Sequence, residues 1–393
     1  MNNNTIARIL ADTLPKIEYL NQYESGILNQ IISCQTSVLG GHKYECIKCG
    51  RPEIFYNSCH NRHCPNCQSA LRIKWVRKRL FELLPVQYFH AVFTIPQQLR
   101  IITLYNKKIM LNLIFRCVHE TLKQAAMNKD NLGARIGGIS LLHTWDQMLN
   151  YHSHIHCIIP GGGLSLDNRN WISAKERFFI PVRILSIIFR AKMLKELYKV
   201  YTSLGFSGKI KKYADEKAFK HMLKMLKKKK WVVYCKRPFA DAGKIVNYLG
   251  KYTHRIGISN SRIISYKHGL VRFEYKDRKT NEKKICSLDA ITFTKRFILH
   301  ILPKRFFKVR QFGILANSNR KKFLPIIKKL LFEGKEEEEN MIADKYLKDL
   351  SIYDNEPEMK CPECGGCLIY CCELKPAIFR TPNRIKEKED DTG

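Results

Sequence analysis

Cysteine placement is the feature that most constrains how this chain can fold. Fifteen cysteines occur in 393 residues, and most of them fall in two short segments. The first segment contains Cys46-x-x-Cys49 and Cys64-x-x-Cys67, separated by fourteen residues. Two such pairs at this spacing are typical of knuckles that share one tetrahedral zinc ion. Because residues 34–68 have little apolar content, we expect metal binding rather than a hydrophobic core to order them.

Further potential ligands extend this zinc prediction. The same segment holds four more donors, which would complete a second four-ligand site: Cys34, His42, Cys59 and His63. The alternative is that the two histidines are surface groups or support the ligands from outside. Near the other end of the chain, Cys361-Pro-Glu-Cys364-Gly-Gly resembles half of a zinc ribbon, which Cys371 or Cys372 would complete. The sequence therefore predicts one or two structural zinc ions and a separate candidate knuckle.

The net charge indicates a polyanionic partner. Lysine and arginine number 69 against 35 aspartate and glutamate, so the formal charge is +34 at pH 7. A long nucleic acid is the commonest partner for such a surface, although a lysine-rich proteome would leave the same mark. Apolar residues make up 45% of the chain, enough for packed cores. Since no apolar run reaches the roughly 20 residues of a membrane span, we expect a soluble, cytoplasmic protein.

Hydrophobic periodicity divides the chain into three expected domains. Residues 1–84 should form N-terminal helices, interrupted near Pro15, then the zinc-binding domain and a basic helix from about residue 69 to residue 84. Residues 85–320 should form the main domain, and residues 321–393 a charged C-terminal region with a disordered tail. In the main domain the patterns predict strands starting near Tyr88, Ile139 and His154, and helices over about 100–127, 181–200 and 215–229.

Two histidines in the main domain are candidate metal ligands. Residues 152–156 read His-Ser-His-Ile-His within an apolar run that should be a strand. Alternate residues of a strand share a face, so His154 and His156 should point the same way while Ile155 faces the core. Two imidazoles on one rigid strand can bind a metal ion, although paired histidines also occur as simple polar faces.

A pair of tyrosines forms the second candidate constellation. Tyr248-Leu-Gly-Lys251-Tyr252 lies on a helix predicted from about Asp241 to Tyr252. Residues four apart lie on the same face of a helix, so both hydroxyls can approach one site. For an isolated pair, an aromatic stripe buried in a core is the alternative.

Together these motifs resemble the two-tyrosine HUH transposases of rolling-circle insertion sequences, the IS91-like family. The resemblance covers most of the chain. Ser153 stands where the family often has proline, which should matter little because that residue is not a ligand. The motifs that carry the resemblance are Asn57-Ser-Cys59, Arg62-His63-Cys64-Pro-x-Cys67-Gln68, His143-Thr-Trp145, His154-Ile-His156-Cys-Ile-Ile-Pro-Gly-Gly-Gly163-Leu164, Tyr248-Leu-Gly-Lys-Tyr252-Thr-His254-Arg255 and Phe312-Gly-Ile-Leu-Ala-Asn317.

The resemblance implies an α+β fold. In it an N-terminal zinc-binding module precedes an HUH endonuclease domain, which is an antiparallel sheet flanked by helices and here carries helical insertions. By the same resemblance, His154 and His156 would bind a catalytic Mg²⁺ or Mn²⁺. Gln147 is the expected third ligand, and Asp146 is the alternative.

The resemblance also implies the chemistry. Tyr248 or Tyr252 would attack single-stranded DNA and leave a 5′-phosphotyrosine, which stores the energy needed for rejoining. Lys251 would stabilise the phenolate or the phosphate, unless it is simply a solvated helix lysine. The expected partners are the single-stranded ends of a mobile element, target DNA and the host replication machinery, with the protein at the prokaryotic nucleoid.

Two other functions fit parts of the same pattern. A plasmid replication initiator or a relaxase would use the same nicking chemistry at a plasmid origin. A zinc-dependent DNA-binding regulator without catalysis would use the histidines and tyrosines as structural residues only. Formation of a covalent adduct with single-stranded DNA separates the enzymes from the regulator.

Overall fold

The computed structural model describes residues 5–67, 82–175, 179–239, 256–277, 280–332 and 359–377. Nearly all of the basic helix expected over 69–84, and the whole helix expected over Asp241–Tyr252, lie outside these ranges, as does the C-terminal tail. In the described ranges, no helix is both long and apolar enough to cross a membrane.

Runs of helices and runs of strands follow one another along the described chain, as in an α+β fold. The strands are β1 (Gly41–Cys46), β2 (Pro52–Tyr56), β3 (Tyr88–Thr94), β4 (Gly137–Trp145), β5 (Tyr151–Pro160), β6 (Gly162–Leu164), β7 (Trp171–Ser173), β8 (Val233–Phe239), β9 (Ile263–Lys267), β10 (Leu270–Lys276), β11 (Lys283–Asp289), β12 (Val309–Gly313) and β13 (Leu368–Leu374). The α-helices are α1 (Thr5–Thr13), α2 (Gln22–Ile32), α3 (Gln97–Tyr105), α4 (Lys107–Met127), α5 (Val182–Lys199), α6 (Glu216–Lys228), α7 (Ala290–Leu299) and α8 (Asn317–Phe332).

A five-stranded sheet forms the centre of the main domain. Its strand order is β12-β4-β5-β3-β8, and every neighbouring pair is antiparallel. One face is apolar because alternate residues such as Phe93 on β3 and Ile155 on β5 point into a core shared with α4 and α5. The other face carries His154 and His156, as the alternation predicts. The sheet therefore holds both histidines on the face opposite the main helical layer.

Asn106 divides the helix expected over about 100–127. Its backbone leaves the helical region, so α3 ends at Tyr105 and α4 starts at Lys107. The buried Asn106 amide donates to the carbonyl of Gly205 at 3.0 Å and accepts the Gly205 N–H at 2.8 Å. These two hydrogen bonds join the helix break to the loop at Gly205. The apolar periodicity alone does not predict the break.

The N-terminal helices pack against the region that follows residue 256. Pro15 lies in a 3₁₀ turn that ends α1, as predicted, and Asn21 caps α2 by accepting the Glu24 N–H at 2.9 Å. Thr13 is hydrogen-bonded to Thr294 on α7 at 2.8 Å between their hydroxyls. Buried side chains of α1 and α2 share one core with those of the three-stranded sheet β9-β10-β11 and α7.

The C-terminal region is joined to both ends of the fold. Helix α8 crosses the expected boundary at residue 320 and packs Ile327 against Leu84 and Leu164. Strand β13 pairs antiparallel with β1 and completes a three-stranded sheet in the order β13-β1-β2. The residues beyond 320 therefore contribute a helix to the main domain and a strand to the N-terminal module.

Candidate functional site

Three histidines meet on the face of the central sheet opposite the helical core. His154 and His156 lie on β5, and His143 lies on β4 directly opposite His154. All three are buried, and their ligand nitrogens lie within 4.8 Å of one another. The ring centroids are 4.5 Å apart for His143 and His156 and 4.8 Å apart for His154 and His156. Three imidazoles that converge in this way can bind a single metal ion.

Hydrogen bonds on the far side of two rings fix which nitrogen is available. The Nδ1 atom of His154 lies 2.8 Å from the carbonyl oxygen of His152, which can only accept, so Nδ1 carries the proton. The Nδ1 atom of His156 lies 2.8 Å from Nε2 of His90 on β3, and the two ring planes are nearly parallel, with an interplanar angle of 5°. In both rings Nε2 is then the nitrogen available to a metal ion, the arrangement by which outer partners orient metal-binding histidines.

The structure brings a third histidine to the expected pair, while Gln147 and its alternative Asp146 stay predictions for the third ligand. Gln147 and Asp146 lie in the turn between β4 and β5, beyond the end of the paired strands. The Asp146 carboxylate caps this turn by accepting the N–H groups of Met148 and Asn150 at 2.8 and 2.9 Å. The backbone carbonyl of Gln147 accepts a hydrogen bond from the Arg262 guanidinium at 2.6 Å. The side chain that joins the pair is His143, which the motif around Trp145 contained but which the sequence analysis did not single out.

Aromatic and basic groups support the turn next to the histidines. Trp145 stacks on His143 with ring centroids 4.7 Å apart. His300 on the neighbouring segment is buried, accepts from the Thr144 hydroxyl at 3.2 Å and donates to the Leu149 carbonyl at 3.1 Å. Burial lowers the pKa of His300 to about 4, so this ring is neutral at physiological pH.

A small cavity beside Trp145 is lined on one side by cationic groups. Arg62 and Lys308 both contribute to its wall, together with His63. Burial lowers the pKa of Lys308 to about 8, which keeps most of its charge near neutral pH. Burial, with the nearby Arg62 charge, lowers the pKa of His63 to about 3. Arg62 and Lys308 thus place positive charge in the wall of a cavity that Trp145 also lines, while His63 stays neutral.

The predicted nucleophiles Tyr248 and Tyr252, and Lys251 between them, lie outside the described residues. Only the flanks of their segment are placed. The described chain stops at Phe239, which pairs with Tyr88 at one end of the sheet. It resumes at residue 256, where Gly257 lies against Trp145 and His300 at the other end.

Four of the predicted zinc ligands gather between the N-terminal helices and the main domain. They are Cys34, Cys59, Cys64 and Cys67. The Cys67 sulfur lies 3.5 Å from that of Cys34 and 3.6 Å from that of Cys59. Backbone N–H groups of Cys59 and Asn61 also point at cluster sulfurs, both at 3.5 Å. A set of four thiolates with N–H donors is the chemistry of a structural zinc site.

The structure corrects the expected sharing of one zinc by Cys46, Cys49, Cys64 and Cys67. Cys46 at the end of β1 and Cys49 in the turn that follows form a separate group with Cys361 and Cys364. The second-site expectation for His42 and His63 fails as well, since neither ring belongs to either group. His42 lies on β1 with its ring 6.0 Å from that of Tyr370, and His63 is buried beside Arg62.

Comparisons with known proteins match two parts of the chain to transposase families. A family profile described as "Transposase zinc-binding domain" matches residues 5–95, and one described as "Putative transposase" matches residues 137–322. The chain is 41% identical over 315 residues to "Putative transposase y4qJ" of Sinorhizobium fredii, which covers 79% of each chain. It is 27% identical over 359 residues to "Transposase for insertion sequence element IS801" of Pseudomonas savastanoi pv. phaseolicola, which covers 90% of this chain and 85% of that protein. No solved structure matches the chain.

Proposed function

Since this chain belongs to the IS91-like family of transposases with an N-terminal zinc-binding domain, we propose that it cleaves and rejoins single-stranded DNA in rolling-circle transposition. The observation that carries the proposal is the cluster of His143, His154 and His156 on two central strands of the main domain. A formal charge of +34 supports binding to the phosphate backbone.

The donor set of this cluster fits a divalent metal ion. Three imidazoles are held in place, and for His154 and His156 the outer nitrogen is already engaged by His152 and His90. A bound ion would supply positive charge at the scissile phosphate, where negative charge develops during attack. Imidazole nitrogens suit transition metals better than Mg²⁺. We therefore expect Mn²⁺ to support cleavage at lower concentration than Mg²⁺.

In the proposed reaction a tyrosine is the nucleophile. The phenolic oxygen of Tyr248 or Tyr252 attacks the phosphorus, loses its proton, and forms a 5′-phosphotyrosine bond. The bond from phosphorus to the 3′ oxygen breaks, and that oxygen takes up a proton to become a free hydroxyl. When a 3′-hydroxyl later attacks the phosphotyrosine, the phosphodiester reforms and the tyrosine is released, so no ATP is needed.

Two tyrosines give the proposed cycle a second nucleophile. One tyrosine can retain the first 5′ end while the other cuts a second strand, and this allows two different DNA ends to be joined. Lys251, between them in sequence, is proposed to stabilise the phenolate or the phosphate. The described residues on either side of this segment contact opposite ends of the sheet that carries the histidines. Phe239 pairs with Tyr88, and Gly257 lies against Trp145.

The test is an assay with labelled single-stranded DNA that carries an end of the element. With Mn²⁺ the protein should form an adduct that survives denaturation and should then join that strand to a second one. Changing His154 and His156 together to alanine should abolish both products while DNA binding persists. An active site that only nicks, as in a replication initiator or relaxase acting at one origin, gives adduct without joining of element ends. Absence of any adduct with Mn²⁺ or Mg²⁺ contradicts the proposal and favours a DNA-binding regulator.

A further inference from the structure

We propose that Cys46, Cys49, Cys361 and Cys364 bind a second structural zinc ion that joins the two ends of the chain. The four sulfurs belong to one group in the structure. Cys364 lies 3.4 Å from Cys46 and 3.4 Å from Cys49, sulfur to sulfur, and Cys49 lies 3.7 Å from Cys361. Cys46 and Cys49 lie within the segment that matches the zinc-binding family, whereas Cys361 and Cys364 lie beyond both matched segments, so neither match contains the whole site.

The sulfur separations fit a tetrahedral metal site. Four thiolates at about 2.3 Å from a central zinc ion stand about 3.8 Å from one another. The observed separations are close to this edge length, and they are far longer than the bond of about 2 Å in a disulfide. A site built only from thiolates selects a soft or borderline metal, and zinc is the usual choice in this geometry.

The two pairs are also built on the same local structure. In the first, the Cys46 N–H donates to the Arg51 carbonyl at 3.0 Å and the Gly50 N–H donates to the Cys46 carbonyl at 2.8 Å. In the second, the Cys361 N–H donates to the Gly366 carbonyl at 2.7 Å and the Gly365 N–H donates to the Cys361 carbonyl at 2.9 Å.

Each pair thus forms a turn of the form Cys-x-x-Cys-Gly, and the glycine that follows has a positive φ in both, +70° for Gly50 and +67° for Gly365. Two knuckles with the same hydrogen bonds, facing each other, form the two halves of one zinc site.

Contacts around the sulfurs hold the two knuckles together. The Ile47 N–H donates to the Cys367 carbonyl at 3.1 Å, and Arg51 forms an ion pair with Glu363 across the junction. Gly366 packs so closely that an added Cβ would lie 2.8 Å from the Cys46 sulfur. The close approach at Gly366 is what a backbone wrapped around a metal-bound thiolate requires.

Zinc at this position would close a loop of more than three hundred residues. Cys49 and Cys361 are 312 positions apart, and the knuckles lie at the start of the β1–β2 turn and just before β13. A two-stranded hairpin is marginal alone, whereas a third strand and a metal at its end make a stable small sheet. The zinc would thus fasten the C-terminal strand to the N-terminal zinc-binding module.

Thiol alkylation of the intact zinc-loaded protein tests the site without any substitution. Cys49 is exposed in the structure, as are Cys371 and Cys372 on β13, which belong to neither sulfur group. Peptide mapping should show fast labelling of Cys371 and Cys372 and slow labelling of Cys49, Cys361 and Cys364. A chelator should remove that protection. Labelling of Cys49 and Cys364 at the rate of Cys371 before chelation overturns the proposal.

Metal content of variants provides the second test. In the His154→Ala/His156→Ala background, where the imidazole cluster binds no zinc, the full chain should contain two zinc ions, and with Cys361→Ser/Cys364→Ser added it should contain one. The variant Cys46→Ser/Cys49→Ser should also contain one, and so should the variant with all four changes, because the four residues share one ion. The matched control Cys371→Ser/Cys372→Ser should retain two.

Two outcomes contradict the assignment. Two zinc ions retained in Cys361→Ser/Cys364→Ser show that the C-terminal pair is not a ligand. Iron in place of zinc, visible as coloured thiolate absorption, shows that the metal is wrong although the site is present. Neither outcome depends on whether the protein cleaves DNA.

Discussion

At the scale of single residues, His90 on β3 contacts the histidine cluster through His156. Its Nε2 lies 2.8 Å from Nδ1 of His156, and the two ring planes are nearly parallel. If His156 binds metal through Nε2, its Nδ1–H donates to His90. His90 is then a positioning residue that fixes the tautomer and the orientation of a ligand.

Changing His90 tests this role. His90→Phe keeps a buried ring but removes the acceptor, so the Mn²⁺ concentration for half-maximal cleavage should rise about 10- to 100-fold, the usual effect of losing such a partner. His90→Gln offers an amide oxygen and should recover part of the loss. Cleavage measured over a series of Mn²⁺ concentrations gives the answer. Equal metal requirements for His90→Phe and the wild type would show that His90 is only a packing residue.

His300 predicts a pH dependence of stability. Burial lowers its folded-state pKa to about 4, against a usual value of 6.5; Lys107 acts in the same direction, and the Leu149 carbonyl and Asp146 oppose it. Between these two pH values the unfolded chain binds a proton that the folded chain does not. The free energy of unfolding should therefore fall as the pH drops from about 6.5 to about 4, by up to about 1.4 kcal/mol per pH unit from this group.

Urea unfolding at several pH values measures the effect. His300→Gln should flatten that part of the pH profile relative to the wild type, because glutamine does not titrate, while the exposed His221→Gln serves as control and should leave the profile unchanged. Loss of zinc at low pH affects all three proteins equally, so the difference between variants isolates His300. Parallel profiles for His300→Gln and the wild type would contradict the assignment.

The sequence identifies a candidate ligand pair but not the third histidine of the cluster. Strand alternation places His154 and His156 on one face, and the structure agrees. His143 depends on the register between β4 and β5, which the length of the intervening turn sets, and no local pattern reports that register. Its position on an apolar strand, eleven residues before His154, was the available signal.

At the scale of elements, the period of the apolar residues predicts strands and helices well. Single asparagine and glycine residues determine where a helix breaks and where two strands approach closely. Gly313 on β12 has φ +64°, and a Cβ there would lie 1.9 Å from the Ile136 carbonyl. It pairs with Gly137 at the edge of the central sheet. This motif around Phe312 was part of the family resemblance, and the close approach of two strands supplies its physical reason.

Substitution at Gly313 should be costly. Gly313→Ala should lower the free energy of unfolding by about 2 kcal/mol or more, since alanine adds a left-handed backbone penalty and a clash with Ile136. Gly26 in α2 is a matched control because an added Cβ meets nothing within 4 Å, and Gly26→Ala should stabilise by about 0.5–1 kcal/mol. Denaturant midpoints compare the two variants. A Gly313→Ala protein as stable as the wild type would mean that β12 lies differently.

At the scale of the whole molecule, the sequence predicts the order of the domains but not the packing of the C-terminal knuckle and strand against the N-terminal module. The spacing of Cys46, Cys49, Cys64 and Cys67 favoured a local zinc site, because pairing of nearby knuckles is the usual case. The actual partner of the first knuckle lies 312 residues away. Only the matching Cys-x-x-Cys-Gly pattern at 46–50 and 361–365 pointed to it, and such similarity does not by itself specify contact.

If this transposase uses a histidine-held metal and a tyrosine nucleophile, it must form a covalent adduct with its DNA strand, and that adduct can be measured. Single-stranded DNA bearing an element end is incubated with Mn²⁺ and each protein, and adduct is resolved under denaturing conditions and mapped by peptide. The account predicts adduct on Tyr248 or Tyr252 in the wild type and in the control Tyr198→Phe. It predicts none in Tyr248→Phe/Tyr252→Phe, which should still fold, bind zinc and bind DNA. Adduct in that double variant at the wild-type rate, or adduct mapped to another residue, would contradict it.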